Sequence, residues 1–115
     1  MRKHANDRLQ GTLDLLVLKT LAARGSMHGY GITLHIEQIS KDVLRLEEGS
    51  LYPALHRLER KGWVTSRWEM PKDRKREFKY YRLTPAGKKQ PAAERSKWRL
   101  LVASIGRVMG AVEEG

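Results

Sequence analysis

The stretch that decides the fold is residues 69–87, EMPKDRKREFKYYRLTPAG, where a dense basic run lies between a proline and an aromatic segment. From Arg60 to Arg82 there are nine Lys or Arg and three acidic residues, a surplus of six in about a fifth of the chain. Alternating segments flank the run, WVTSRW at 63–68 and FKYYRL at 78–83. Alternation is typical of half-buried strands, so the pattern predicts an antiparallel hairpin with a basic tip.

The faces of these two strands follow from the alternation. Val64 and Trp68 share one face of the first strand, and Tyr81 and Leu83 share one face of the second. The aromatic residues are expected to pack within the hairpin and the core rather than to form a base-stacking surface, namely Trp63, Trp68, Phe78, Tyr80 and Tyr81.

Three helices are predicted before the hairpin, because apolar residues recur at helical spacing in the segments 9–24, 32–39 and 47–61. Gly25 and Gly62 follow the first and third segments as helix stops. Residues 26–31 read as a loop, and residues 43–46 read as a short β-prone run. Pro53 is expected in about the first turn of the third helix, where a missing amide leaves no partner unsatisfied.

A fourth helix is predicted to begin with Thr84 as its cap and Pro85 as its first residue. Pro91 is expected to kink or split it. Beyond Pro91 an apolar stripe continues past the length that one small domain needs. This stripe can pack against the first helix of the same chain, against a second chain, or both. We favour a dimer in which this helix and the first helix associate between two chains, through Leu13, Val17, Trp98, Leu101, Val102, Ile105, Val108 and Met109.

Three helices followed by a two-stranded hairpin is the chain order of a winged helix-turn-helix. The predicted fold is therefore mainly α with a small β-hairpin, followed by a C-terminal dimerisation helix. The expected division is a winged domain over residues 9–84 and a helical dimerisation segment over residues 85–112. A length of 115 residues suits one modest core and no second one.

The overall charge points to an acidic partner. The formal net charge is +10, which favours nucleic acid or an anionic membrane. Asp14 and Lys19 interrupt the first apolar run, so it reads as neither a signal peptide nor a membrane span. Nucleic acid is then the preferred partner. The chain has no cysteine, which excludes disulfides and thiolate zinc sites and fits a reducing cytosol.

The third helix adds a basic outer face to the charged hairpin. With Leu51, Leu55 and Leu58 turned inward, the opposite side carries polar and basic residues. An isolated charge run is usually a solvated face, but a basic helix followed directly by a basic hairpin favours DNA binding. The expected contacts are Tyr30, Ser50, Tyr52, Pro53, His56, Arg57, Arg60, Lys61, Lys72, Arg74, Lys75 and Arg76. Of these, His56 and Arg57 are expected to read bases.

No catalytic or metal-binding pattern accompanies these residues. His28, His35 and His56 have no carboxylate or thiolate at ligand spacing. The sequence contains no Ser, His and acid constellation and no glycine-rich phosphate loop. We expect neither an enzyme nor a metal or cofactor site.

Four segments together resemble the PadR family of bacterial transcriptional regulators: LDLLVLKTLA (13–22), MHGYGI (27–32), EEGSLYPALHRLERKGWV (47–64) and KYYRLTPAG (79–87). The likeness extends from about Leu9 to Lys89. It implies a cytoplasmic homodimer, usually a repressor, that binds palindromic promoter DNA through the third helix and the wing. The family's DNA-facing positions fall on Tyr30, Ser50, Tyr52, Pro53, His56, Arg74, Lys75 and Arg76.

The resemblance also implies a ligand in some members. There, an apolar or aromatic effector binds between the subunits near a tryptophan, which here corresponds to Trp98. Glu77 departs from the family, in which a further basic wing residue is common at this position.

Two alternatives remain at this stage. The same basic charge suits a winged-helix module that binds RNA or a ribosome. The hairpin and helix also suit an adaptor that pairs with an acidic protein. The operator, the regulated genes and the direction of regulation are not determined by the sequence.

Overall fold

The computed structural model describes the backbone of residues 4–46 and 48–114, and the side chains of residues 11–46, 49–90 and 95–110. The chain order confirms a winged helix-turn-helix with a long C-terminal helix. The elements are α1 (His4–Arg24), β1 (Met27–His28), α2 (Gly29–Ile39), α3 (Glu48–Arg60), β2 (Val64–Glu69), β3 (Phe78–Leu83), α4 (Pro85–Lys88) and α5 (Gln90–Glu114). None of the helices in the described part of the chain has the length and apolar character to span a bilayer.

The core forms around α1. Val17 and Leu18 are fully buried at its centre, and α2, α3 and β3 pack around them. From α3, the predicted inward stripe is buried as expected. Because these residues recur at helical spacing, their burial fixes which face of α3 is left for solvent. The buried cluster comprises Val17, Leu18, Leu21, Ile32, Ile36, Leu51, Leu55, Leu58, Val64, Tyr81 and Leu83.

The sheet has three antiparallel strands in the order β1-β3-β2. In the hairpin, Val64 is opposite Leu83 and Ser66 is opposite Tyr81. Tyr81 and Leu83 are buried, which confirms the predicted inward face of β3. The remaining strand of the sheet is β1. It lies in a segment predicted to be a loop, and it was missed because two residues are too few to show alternation.

Two other local predictions were wrong. Residues 43–46 are irregular rather than β-stranded. They follow Lys41 and Asp42, which have φ of 54° and 65°, so the chain turns sharply after α2. Pro53 is the sixth residue of α3 and lies in its second turn, where it removes the amide that would otherwise pair with the Gly49 carbonyl.

The β2–β3 hairpin, which is the wing of this fold, meets α4 at a junction held by hydrogen bonds. The Thr84 hydroxyl donates to the Gly62 carbonyl at 2.6 Å and accepts from the Gly87 amide at 3.0 Å, which confirms the predicted helix cap. A Cβ at Gly87 would overlap the Trp63 carbonyl. The helix then breaks at Lys89, between α4 and α5, rather than at Pro91, which lies in the first turn of α5.

We expect Gly87→Ala to lower the free energy of unfolding by about 1–3 kcal/mol, because the added methyl group displaces backbone rather than a flexible side chain. Urea unfolding followed by circular dichroism measures the loss. The matched control is Gly11→Ala, which meets no atom within 4 Å and should be neutral or slightly stabilising. Equal stability of the two variants would contradict the close packing at this junction.

Candidate nucleic-acid interface

The outer face of α3 is open to solvent, as its amphipathic pattern predicted. Ser50, Pro53 and His56 are exposed along this face, and Arg60 is exposed at its end. The adjoining Lys61 is also exposed, with its amine 4.6 Å from the centre of the Trp63 ring. A helix with this placement, directly after a second helix and before a hairpin, has the form of a recognition helix.

Arg57 differs from its neighbours on the outer face of α3 because its side chain is paired within the protein, which disfavours the predicted role in reading bases. Its side chain is only 25% exposed, and Nη2 donates to Asp14 Oδ1 of α1 at 2.8 Å. The sequence pattern placed Arg57 on the outer face itself, but helical periodicity gives no information about a partner 43 residues away. The guanidinium pairs with α1 and is mostly covered.

The hairpin tip presents the densest positive charge. Lys72, Arg74, Lys75 and Arg76 are all exposed. Two of these cations lie against one ring at the base of the tip, with the guanidinium carbon 5.9 Å from the Phe78 centroid for Arg74 and 4.8 Å for Arg76. Such cation–π contacts restrict the side chains without neutralising their charge.

An open groove of about 770 Å³ runs between the start of α2, the margin of α3 and the wing. Tyr30, Tyr52 and Arg76 come from these three elements and line it together. Aromatic rings and cations are interleaved along its walls, a combination suited to phosphate and sugar-base surfaces. Its lining thus joins two predicted tyrosines with two of the four predicted wing cations, Arg74 and Arg76.

Trp68 also lines this groove, so its predicted place in hairpin packing was wrong. It is 61% exposed, although alternation places it on the same strand face as the buried Val64. The reason is position along the strand. Exposure rises along β2 from its first residue to its last, so only the first part of the strand contacts the core.

The start of α2 is held by a residue whose role the sequence did not reveal. His28 caps the helix, and its Nδ1 accepts from the Gly31 amide at 3.0 Å. Close to it, a Cβ at Gly29 would lie 2.7 Å from the Tyr52 hydroxyl oxygen. The absent side chain therefore lets α3 approach α2, and it sets the position of Tyr52 in the groove.

A second contact fixes α3 against the sheet. Ser66 on β2 donates to Glu59 Oε2 at 2.8 Å. The neighbouring Tyr81 is buried, and burial raises the pKa of its hydroxyl above the ordinary 10.0, with the Glu59 carboxylate acting in the same direction. The wing and α3 are thus parts of one packed unit.

The outward side of α5 carries a large apolar surface. Ile105 is 52% exposed and Val108 is 62% exposed, while Leu101 and, on α1, Leu13 are half-buried. The other exposed members of the predicted stripe are Trp98, Val102 and Met109. Val17 does not belong with them, since it is fully buried in the core of its own chain and has no surface to offer a second one.

No group of three or more His, Cys, Asp or Glu suited to a metal ion occurs within the described ranges. The expectation that the chain uses no metal or cofactor stays a prediction.

Comparison with known proteins identifies the family. The family model described as the transcriptional regulator PadR-like family matches residues 17–93, which include α2, α3 and the whole hairpin. The chain belongs to the PadR-like family. The resemblance noted in the sequence is therefore confirmed.

One relative of the chain is described as a transcriptional regulator. The chain is 39% identical over 67 residues to the transcriptional regulator Rv3488 of Mycobacterium tuberculosis. The match covers 58% of this chain and 58% of that relative's length.

Solved structures share the fold. A transcriptional regulator from Clostridium thermocellum is 29% identical, with a TM-score of 0.72 over 88% of this chain and 93% of that one. A PadR family transcriptional regulator from Eggerthella lenta is 28% identical, with a TM-score of 0.68 over 93% and 90% of the two chains.

The raised pKa of Tyr81 makes stability depend on pH in alkaline solution. The stabilisation of its neutral form is fully present below pH 10, the ordinary tyrosine value, and is lost as pH rises through the higher folded value. The free energy of unfolding of the native chain should therefore fall more steeply between about pH 9 and about pH 11 than that of Tyr81→Phe. Urea titrations at both pH values measure this difference. Parallel declines in the two proteins would refute the shift.

Proposed function

We propose that this PadR-family chain is a transcriptional regulator that binds duplex DNA with α3 and the wing. The observation that carries the proposal is the common groove, whose walls bring Tyr30, Tyr52, Arg74 and Arg76 together from three elements. A duplex can contact both sides of such a groove at once. The outer face of α3 then enters the major groove, where His56 is the base-reading candidate.

Charge supplies most of the affinity in this proposal. Six neutralised phosphates per chain would make log affinity fall with log salt at a slope of about −5. The cations assigned to phosphate are Arg60, Lys61, Lys72, Arg74, Lys75 and Arg76, with Tyr30, Ser50 and Tyr52 as neutral donors. Sequence preference then depends on the few side chains of α3 that reach base edges.

A homodimer gives this small DNA-binding domain enough sequence specificity. The exposed stripe of α5, with the half-buried Leu13 beside it, is the proposed interface, and burial of the stripe removes apolar surface from water. Two recognition helices related by a twofold axis would lie roughly 34 Å apart and bind an inverted repeat. In this arrangement residues 9–84 bind DNA and residues 85–112 hold the dimer together.

The regulator acts as a repressor in the cytoplasm, where a dimer bound across a promoter excludes polymerase. An apolar or aromatic effector would bind between the subunits at Trp98, which is 39% exposed on the proposed interface. Repression, the cytoplasmic location and the effector site all go beyond what membership of the family supports. Repression and the effector site also depend on the proposed dimer.

A second candidate, RNA binding, is favoured by one observation. The groove interleaves Tyr52, Trp68 and Tyr80 with cations, an arrangement that also suits unpaired bases. Competition between duplex DNA and structured RNA in a gel shift separates the two candidates, because DNA should win under the leading proposal. Binding to neither would leave the third candidate, an adaptor for an acidic protein.

Changing Arg74, Lys75 and Arg76 together to Ala should weaken binding to every duplex and reduce the salt slope by about 2–3 for each bound chain, since each phosphate contact contributes about 0.9. Fluorescence anisotropy at several salt concentrations measures both effects. The matched control changes Lys88, Lys89 and Arg95 to Ala, which removes the same charge from exposed positions outside the groove. A slope equal to that of the control would remove the wing from the interface.

Ile105→Glu should yield monomers, because a charge would replace an apolar side chain at the centre of the proposed interface. Light scattering gives the mass, and the same samples should bind an inverted repeat at least tenfold more weakly, a loss of about 1.4 kcal/mol or more. Ala103→Glu adds the same charge roughly opposite Ile105 on α5 and should stay dimeric. An unchanged mass for Ile105→Glu would exclude this face as the interface.

A further inference from the structure

The ion pair between Asp14 of α1 and Arg57 of α3 needs a functional explanation. Asp14 is 4% exposed and therefore cannot reach a bound duplex, yet it holds Arg57 of the recognition helix at 2.8 Å. The pair joins the helix at the centre of the core to the helix with the open outer face. It is the one ion pair between helices within the described side chains.

Stability alone does not account for this pair. Arg57 Nε is buried and has no hydrogen-bond partner among the described residues, so the partly buried guanidinium is incompletely satisfied. Buried ion pairs often contribute no more to stability than apolar side chains of similar volume. Such pairs do restrict the relative position of two helices, because charged groups joined by directional hydrogen bonds allow less sliding than apolar side chains in contact.

Such geometry matters here because the buried cluster that α1 and α3 share is apolar. Leu51, Leu55 and Leu58 of α3 lie in this cluster with residues of α1, and apolar contacts are non-directional, so they permit small shifts of α3 along its axis. A shift of about one ångström would misplace side chains that must meet base edges. One directional bond across this contact restricts that movement.

We propose that Asp14 and Arg57 are positioning residues that set the register of α3 on α1, and with it sequence-specific DNA recognition. The inference rests on the proposed function and deepens it. Since α1 also packs against α5, the pair connects the proposed dimer helices to the recognition helix. Arg57 acts on DNA through the placement of α3 and makes no phosphate contact.

Simple electrostatics and the positioning role predict opposite changes in DNA affinity when the charge of Asp14 is removed. Removing the negative charge of Asp14 should strengthen attraction to DNA if charge alone matters. Under the positioning role, Asp14→Asn instead weakens binding to a duplex selected by the native protein from a random pool. The expected loss is about five- to tenfold, in the range of coupling between contacting residues. Binding to an unrelated duplex should not weaken, so the ratio of the two affinities falls.

The apolar double variant Asp14→Leu with Arg57→Met separates positioning from stability. Its thermal midpoint should equal or exceed that of the native chain, while its affinity for the selected duplex falls as in Asp14→Asn. A double variant with native affinity would overturn the proposal. So would an Asp14→Asn variant that binds the selected duplex as tightly as the native chain or more tightly.

Arg57→Met and Arg60→Met form the matched pair on α3. Arg60 is exposed and assigned to phosphate, so its loss should lower the salt slope by about 0.9 for each bound chain, whereas the loss of Arg57 should leave the slope unchanged. An equal reduction in both variants would make Arg57 a phosphate contact and refute the inference. Failure of the native protein to bind any duplex would instead contradict the proposed function, so the two failures are distinguishable.

Discussion

Burial of the apolar stripe of α1 is the constraint on which the rest of the structure depends. Val17 and Leu18 have no exposed surface, and each side chain of this kind contributes about 1.5–3 kcal/mol when it leaves water. A chain of 115 residues has enough apolar side chains for one such centre. The elements packed around it must therefore turn their apolar faces inward, which leaves the basic faces of α3 and the hairpin for solvent.

The sequence predicted the elements that have strong periodicity. The stripes of α1 and α3 and the alternation in β3 each repeat over several residues, so their faces could be assigned before the structure was known. β1 was missed because two residues carry no period. Trp68 was misplaced because alternation gives the face of a strand but not where the covering layer ends.

The candidate site was predictable in part for the same reason. Exposed positions of α3 follow from its inward leucines, and the wing cations follow from their density in the chain. The partner of Arg57 was not predictable, because Asp14 lies in a different helix and neither periodicity nor composition relates distant positions. The capping role of His28 was likewise hidden, since a histidine at a helix start differs from the usual capping residues.

The placement of α1 also limits how the parts can move. One helix contributes the core centre, packs against α5 and holds Arg57 through Asp14. Interiors are close-packed and transmit small displacements rather than absorbing them. In the proposed dimer, a ligand that altered the angle of α5 at Trp98 would therefore act on α1, and through Asp14 on α3. Coupling between an effector and DNA then requires differential contacts at only one helix, because that helix already connects both surfaces.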